Sequence, residues 1–200
     1  IPAILVNLGV KITIVYRMLI VFIWFATFWI SYLSSKRIVG ENFALYLAFF
    51  YTFTSTCVTN LCIRSAIGES SAFIFIIPVF AGSYGILYKE KDYRNRLTLC
   101  LGMTGIIQSH VLTVILSSLI LLVWCIVDAK VVLRNKRYVE ILKAAVVTVL
   151  LNASFVFPML EQMVYQKFQT PSNSGYQKEA FMDYSLDFID FLIPYEIKKI

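Results

Sequence analysis

The stretch Leu97-Thr-Leu-Cys-Leu-Gly-Met-Thr-Gly-Ile-Ile-Gln-Ser-His-Val-Leu-Thr-Val-Ile-Leu-Ser-Ser-Leu-Ile-Leu-Leu-Val-Trp-Cys-Ile-Val127 decides how the chain is organised. It runs for 31 residues without a charge. An α-helix rises about 1.5 Å per residue and the hydrocarbon core of a bilayer is about 30 Å thick, so one crossing takes about 20 apolar residues. The run is too long for one comfortable crossing and a little short for two. The charges around it decide between these. Lys36 and Arg37 lie in one connection, Lys89, Lys91, Arg94 and Arg96 in a second, and Lys130, Arg134, Lys136, Arg137 and Lys143 in a third. Basic loops belong on the cytoplasmic side of a membrane. A single crossing would separate the second cluster from the third, whereas two crossings bring all three to one side. The sequence therefore predicts a reversal near Gln108, Ser109 and His110. Its first limb begins at about Tyr93, with Arg94 and Arg96 snorkelling to the headgroups.

Working outward, four further runs have the length and apolarity of a crossing: Ile12 to Leu33, Phe43 to Ile63, Ser71 to Tyr88, and Ile141 to Leu160. The expected fold is all-α, a polytopic transmembrane bundle of about six crossings, with both ends of the chain on the outer side. Residues 1–160 form the bundle, and residues 161–200 form an extracytoplasmic loop and interfacial helix. The absence of an initiator Met and of a charged leader suggests an excerpt of a longer protein.

Composition agrees with a bilayer environment: 59% of residues are apolar and only 15% are charged, against about a quarter in soluble domains. So few charges cannot cover a water-facing surface. The net charge of +6 comes from short clusters between apolar runs and not from one basic face, which argues against nucleic acid as a partner. Cys57, Cys62, Cys100 and Cys125 lie in apolar segments without a CxxC pair, so they read as buried thiols, and no metal site is expected from them.

Polar groups inside a membrane segment are costly and invite a functional reading. Thr52, Thr56, Asn60 and Arg64 recur every four residues and predict one helical stripe ending in a cation at the outer surface. Such a stripe lines a polar cavity or makes interhelical hydrogen bonds. Gly68 permits a sharp turn, and the helix after it presents free N–H groups. Arg64 beside that helix start is suited to a phosphate, while an Arg64–Glu69 ion pair is the structural alternative. His110, the one histidine, can orient a substrate, relay a proton or serve packing alone. Arg17 either snorkels outward or shares a cavity with Arg64. Pro78 with Ala81, Gly82, Ser83 and Gly85, and Gly102 with Gly105, predict kinked and closely packed third and fourth helices. Asp183, Asp187 and Asp190 oppose an apolar stripe of Phe181, Tyr184, Phe188 and Leu192; they read as the solvated face of an interfacial helix, with cation binding as the functional alternative.

Three segments carry a family likeness: Cys62-Ile-Arg-Ser-Ala-Ile-Gly-Glu-Ser-Ser-Ala-Phe-Ile-Phe-Ile-Ile-Pro78, Gly102-Met-Thr-Gly-Ile-Ile-Gln-Ser-His110, and Phe157-Pro-Met-Leu-Glu-Gln162 with Pro171-Ser-Asn-Ser-Gly175. In this order the chain, over about residues 40 to 175, resembles bacterial polytopic membrane proteins known as 6-pyruvoyl-tetrahydropterin synthase-related, a GT-C glycosyltransferase-like family. The resemblance implies a helical-bundle enzyme of the bacterial cytoplasmic membrane. It would take a sugar from a polyprenyl-phosphate donor to a cell-envelope acceptor on the extracytoplasmic face. Arg64 would then meet the lipid phosphate, with Gly68, Glu69, Gln108, His110, Asn60 and Arg17 as further binding candidates. The family's catalytic acid lies upstream, in an outer loop outside this sequence. The resemblance fixes no cofactor, and a divalent cation could assist. The rival expectations are a transporter or flippase for a lipid-linked or anionic substrate, and a noncatalytic scaffold.

Overall fold

The computed structural model describes residues 2–89 and 92–165. Ten α-helices and no strand occur among them. They are α1 (Pro2–Asn7), α2 (Ile12–Val39), α3 (Glu41–Thr52), α4 (Ser55–Val58), α5 (Ile67–Tyr88), α6 (Tyr93–Ser109), α7 (Val111–Val127), α8 (Ala129–Leu133), α9 (Arg137–Leu151) and α10 (Ala153–Tyr165). A π turn, Thr59–Ile63, extends α4. The chain divides into two compact units, Ile1–Pro158 and Met159–Ile200. The region of Pro171 to Gly175 and the carboxylates Asp183, Asp187 and Asp190 lie outside the described residues.

Two helices, α2 and α5, are long and apolar enough to cross a bilayer, and the number rises to four if each of two bent pairs counts as one span. Their 28 and 22 residues correspond to about 42 and 33 Å of helix. Phe22, Phe25, Leu112 and Leu122 are all more than half exposed on the flanks of the first unit. Large apolar side chains exposed in this way are what hydrocarbon solvates and water does not.

Cross-helix contacts give the direction of each segment. The end of α2 meets the start of α6 through Arg37 and Asp92. At the opposite end of α5, Gly68 faces the Ser109 carbonyl at the end of α6, so α5 and α6 are antiparallel. The chain then reverses at His110, whose backbone is extended (φ −158°, ψ 112°). From there α7 runs back along α5, which brings Trp124 against Phe80 and Tyr88. The next return is α9, parallel to α6: Arg96 pairs with Glu140, the Cys100 thiol meets the Ala144 carbonyl, and Gln108 meets Asn152.

The seam between α5 and α6 is the closest packing in the bundle. A Cβ on Gly82 would sit 2.5 Å from the Leu99 nitrogen and one on Gly102 would sit 2.9 Å from the Val79 nitrogen. These small residues let two backbones approach, as in other closely packed membrane helices. Ala72, Val79, Ile86, Leu99, Cys100, Ile106 and Ala144 form the buried cluster around the seam.

The structure corrects several sequence expectations. The run Phe43 to Ile63 is no single rod: it begins at Glu41, breaks between Thr52 and Ser55, and bends by 48°. At the break, the Thr54 hydroxyl donates to the Phe50 and Tyr51 carbonyls, an alternative to continued helix that threonine offers readily. The run Ile141 to Leu160 starts earlier, at Arg137, and is interrupted at Asn152. Pro78 sits within a continuous α5.

Candidate functional site

Asn60, Arg64 and Glu69 come together where the π turn hands over to α5. The extra residue of that turn moves the Arg64 N–H onto the Thr59 carbonyl, at 2.9 Å. Ser65 then adopts a left-handed conformation (φ 55°), which costs a non-glycine residue about 1–2 kcal/mol. The Ala66 N–H bonds back to the Asn60 carbonyl, and the Ile67 N–H closes a tight turn on the Ser65 carbonyl. The reversal therefore sits at Ser65. Gly68, expected to make the turn, lies in the first turn of α5, and its lack of a side chain matters for a different reason. A Cβ there would stand 3.0 Å from the Ser109 carbonyl, so Gly68 brings the α6 end to the site.

Asn60 is buried and organises the cluster. Its Nδ2 donates to Glu69 Oε1 at 2.8 Å, and its Oδ1 accepts from Arg64 Nη1 at 2.7 Å. Arg64 Nη1 also lies 3.4 Å from Glu69 Oε2. The ion pair foreseen as the structural alternative is present, but it is loose, and the Arg64 side chain is 59% exposed. Guanidinium has five N–H donors, so a third partner can still be bound.

That third partner would enter a groove of about 500 Å³ between this cluster and α7. Arg64, Glu69 and His110 form its polar head, and Leu112, Ile115, Leu116 and Leu119 supply apolar lining. His110 Nδ1 is 2.9 Å from the Thr113 hydroxyl, which leaves Nε2 for another partner. The site thus has one cation with spare donors, one carboxylate, one imidazole and an apolar wall, a combination suited to an amphiphile with an anionic head.

Other candidates fall elsewhere. Gln108 faces α9, where its Nε2 donates to Asn152 Oδ1 at 3.3 Å. Arg17 is exposed and lines a separate recess with Ile12, Thr13 and Tyr16. The stripe Thr52, Thr56, Asn60 and Arg64 is not continuous: the break after Thr52 takes it out of phase, and Thr56 is exposed where Cys57 is buried. Cys57, Cys62, Cys100 and Cys125 are all free, and Cys62 is exposed. Among the described residues no three His, Cys, Asp or Glu side chains are grouped as metal ligands.

Sequence reasoning passed over Asn152. It is fully buried, donates to the Thr104 hydroxyl at 3.0 Å and to the Thr148 carbonyl, and accepts from Gln108. An asparagine in the apolar run from Ile141, four residues after a threonine, was the available signal. At the opposite end, Trp124 Nε1 donates to Asp128 Oδ2 at 2.9 Å, and the Tyr88 hydroxyl donates to the same oxygen. The i, i+4 spacing of Trp124 and Asp128 signals only the first of these contacts.

Comparison with family models, curated proteins and solved structures finds no match to this chain.

Proposed function

We propose that this chain is the membrane core of a GT-C-like glycosyltransferase with about six crossings in a bacterial cytoplasmic membrane. In this reading the Arg64 end faces the extracytoplasmic side. A sugar passes there from a polyprenyl-phosphate donor to a cell-envelope acceptor. The observation that carries the reading is Arg64, steered by Asn60 and Glu69 yet largely exposed at the head of an apolar groove. The groove wall suits an isoprenoid chain, and the cation suits the phosphate to which the sugar is attached.

The chemical logic is electrostatic. Cleavage of the sugar–phosphate bond leaves charge on phosphate oxygen, and a donor already aimed at that position stabilises it without reorganisation. Low dielectric near hydrocarbon strengthens the contact. A divalent cation could assist at the same phosphate. Glu69 holds Arg64 in place, and His110 is available to orient the acceptor or donor. No general base is assigned, because the resemblance puts the acid upstream. The interrupted Thr52–Arg64 stripe counts against a continuous polar pathway, the feature that a transporter reading needs.

Membranes carrying Arg64→Ala, supplied with a polyprenyl-phosphate sugar, should transfer sugar at least about tenfold more slowly than the parent, since a charge-assisted hydrogen bond is lost. Arg64→Lys should recover part of the rate. Full transfer by Arg64→Ala overturns the phosphate assignment.

A further inference from the structure

At the other end of α5 a second cavity opens between α2, α5 and α6. It measures about 260 Å³, and Ser34, Arg37, Gly82, Asn95 and Thr98 are among its lining residues. We infer that this cleft binds the phosphate headgroup of an anionic lipid from the adjoining leaflet. The inference uses the membrane setting of the proposed function but none of the Arg64 chemistry.

Three observations support it. The first is the available donors. Arg37 Nη2 engages Asp92 Oδ2 at 2.8 Å, while its side chain stays 41% exposed with further N–H groups to offer. Ser34 and Asn95 add hydroxyl and amide donors on the facing helices. The Asp92 carboxylate is already covered by Arg37 and by the Arg94 backbone N–H, so its charge is largely compensated.

The second is the field. Lys36 and Arg94 stand next to lining residues in sequence, and this end of the bundle also carries Lys89, Arg96 and Arg137. Basic pockets between transmembrane helices on the cytoplasmic side are suited to anionic headgroups. The third is shape. The volume lies below the ~300–1,000 Å³ of pockets that enclose a whole drug-sized ligand, so it suits a headgroup whose tails remain outside. Leu33 lines the same cleft and is 42% exposed, which joins the polar recess to the apolar flank where acyl chains would lie. A freely soluble anion would gain nothing from that flank.

The test is native mass spectrometry of the full chain in detergent, titrated with phosphatidylglycerol and with phosphatidylcholine of the same acyl chains. Phosphatidylglycerol should be retained about tenfold better, because both lipids offer a phosphate but phosphatidylcholine adds a quaternary ammonium that the surrounding cations repel. Arg37→Gln and Ser34→Leu should each reduce that preference to near parity. Ser34→Leu fills the cleft without touching the Arg37–Asp92 pair, so it keeps the test valid if Arg37→Gln does not fold. Arg64→Ala should keep the preference, which separates this site from the proposed catalytic end. Equal retention of the two lipids, or a preference unchanged in Ser34→Leu, overturns the inference. Displacement of phosphatidylglycerol by millimolar inorganic phosphate also overturns it, in favour of a soluble-phosphate site.

Discussion

At the basic end, Arg37, Arg96 and Arg137 each reach a partner 44 to 55 residues away, whereas among the described residues Arg64 at the opposite end reaches Asn60 and Glu69, four and five residues away. Long-range pairs tie helices together: Arg37 joins α2 to the start of α6, Arg96 joins α6 to α9, and Arg137 caps the carbonyls of Ile86 and Lys89 at the end of α5. The Arg64 cluster ties together little beyond its own turn. The difference teaches how to tell a structural ion from an available one. A charge whose partners are distant in sequence ties helices together, as Arg96 and Arg137 do and as Arg37 does with exposed N–H groups to spare, while a charge supported only by its own turn beside an open groove is left for a ligand.

The largest effect should come from the seam that carries both ends. In Gly82→Leu the new Cβ meets the backbone of Leu99 and Asn95, which cannot rotate away. A cost of about 3 kcal/mol or more is expected from such overpacking. Size-exclusion chromatography in detergent should show loss of the folded species.

Asn152→Ala comes next. It removes a fully buried amide and leaves Gln108 and the Thr104 hydroxyl without that partner. The expected cost is about 1–3 kcal/mol, read as a lower thermal midpoint. The comparison between the ends is sharpened by a matched pair. Glu140→Ala, which strands the Arg96 guanidinium, should lower the thermal midpoint more than Glu69→Ala. Exposed ion pairs such as Arg64–Glu69 contribute only about 0.2–1 kcal/mol. Sugar transfer should show the reverse ranking.

The smallest effect concerns pH. The Arg94 backbone N–H, followed by the Arg37 guanidinium, holds the Asp92 carboxyl below its ordinary value. A carboxylate depressed in the folded state stabilises the fold above the usual carboxylate range, and that contribution disappears as pH falls through the lowered value. Asp92→Asn should therefore show a flatter loss of thermal stability than the parent between about pH 5 and pH 3. An unchanged slope would show that Asp92 does not report on the basic end.

Much of the fold is legible in the sequence because its cues are long-range sums. Uncharged length and the sides of the basic clusters predict a reversal at Gln108 to His110, and the chain does reverse at His110. The fourth helix starts at Tyr93, where the charge argument places it. The site is legible only in part. Arg64 and Glu69 share a turn, and a contact between them is a local property. The break at Thr54, the π turn and the left-handed Ser65 were not legible. Each depends on which hydroxyl or carbonyl wins a local competition, and a four-residue periodicity assumes that competition away. Gln108 was misplaced for a related reason. Proximity to His110 in sequence does not say which helix face a residue occupies, and Gln108 turns to α9.

The central claim is that the Arg64 end and the basic end lie on opposite sides of a membrane. In a cysteine-free background, single cysteines at Ser109 and Asn135 can be challenged in intact cells with a membrane-impermeant maleimide. The account predicts that Ser109→Cys is labelled at once and that Asn135→Cys is labelled only after the membrane is permeabilised. Labelling of both cysteines in intact cells, or protection of both until the membrane is permeabilised, would contradict it.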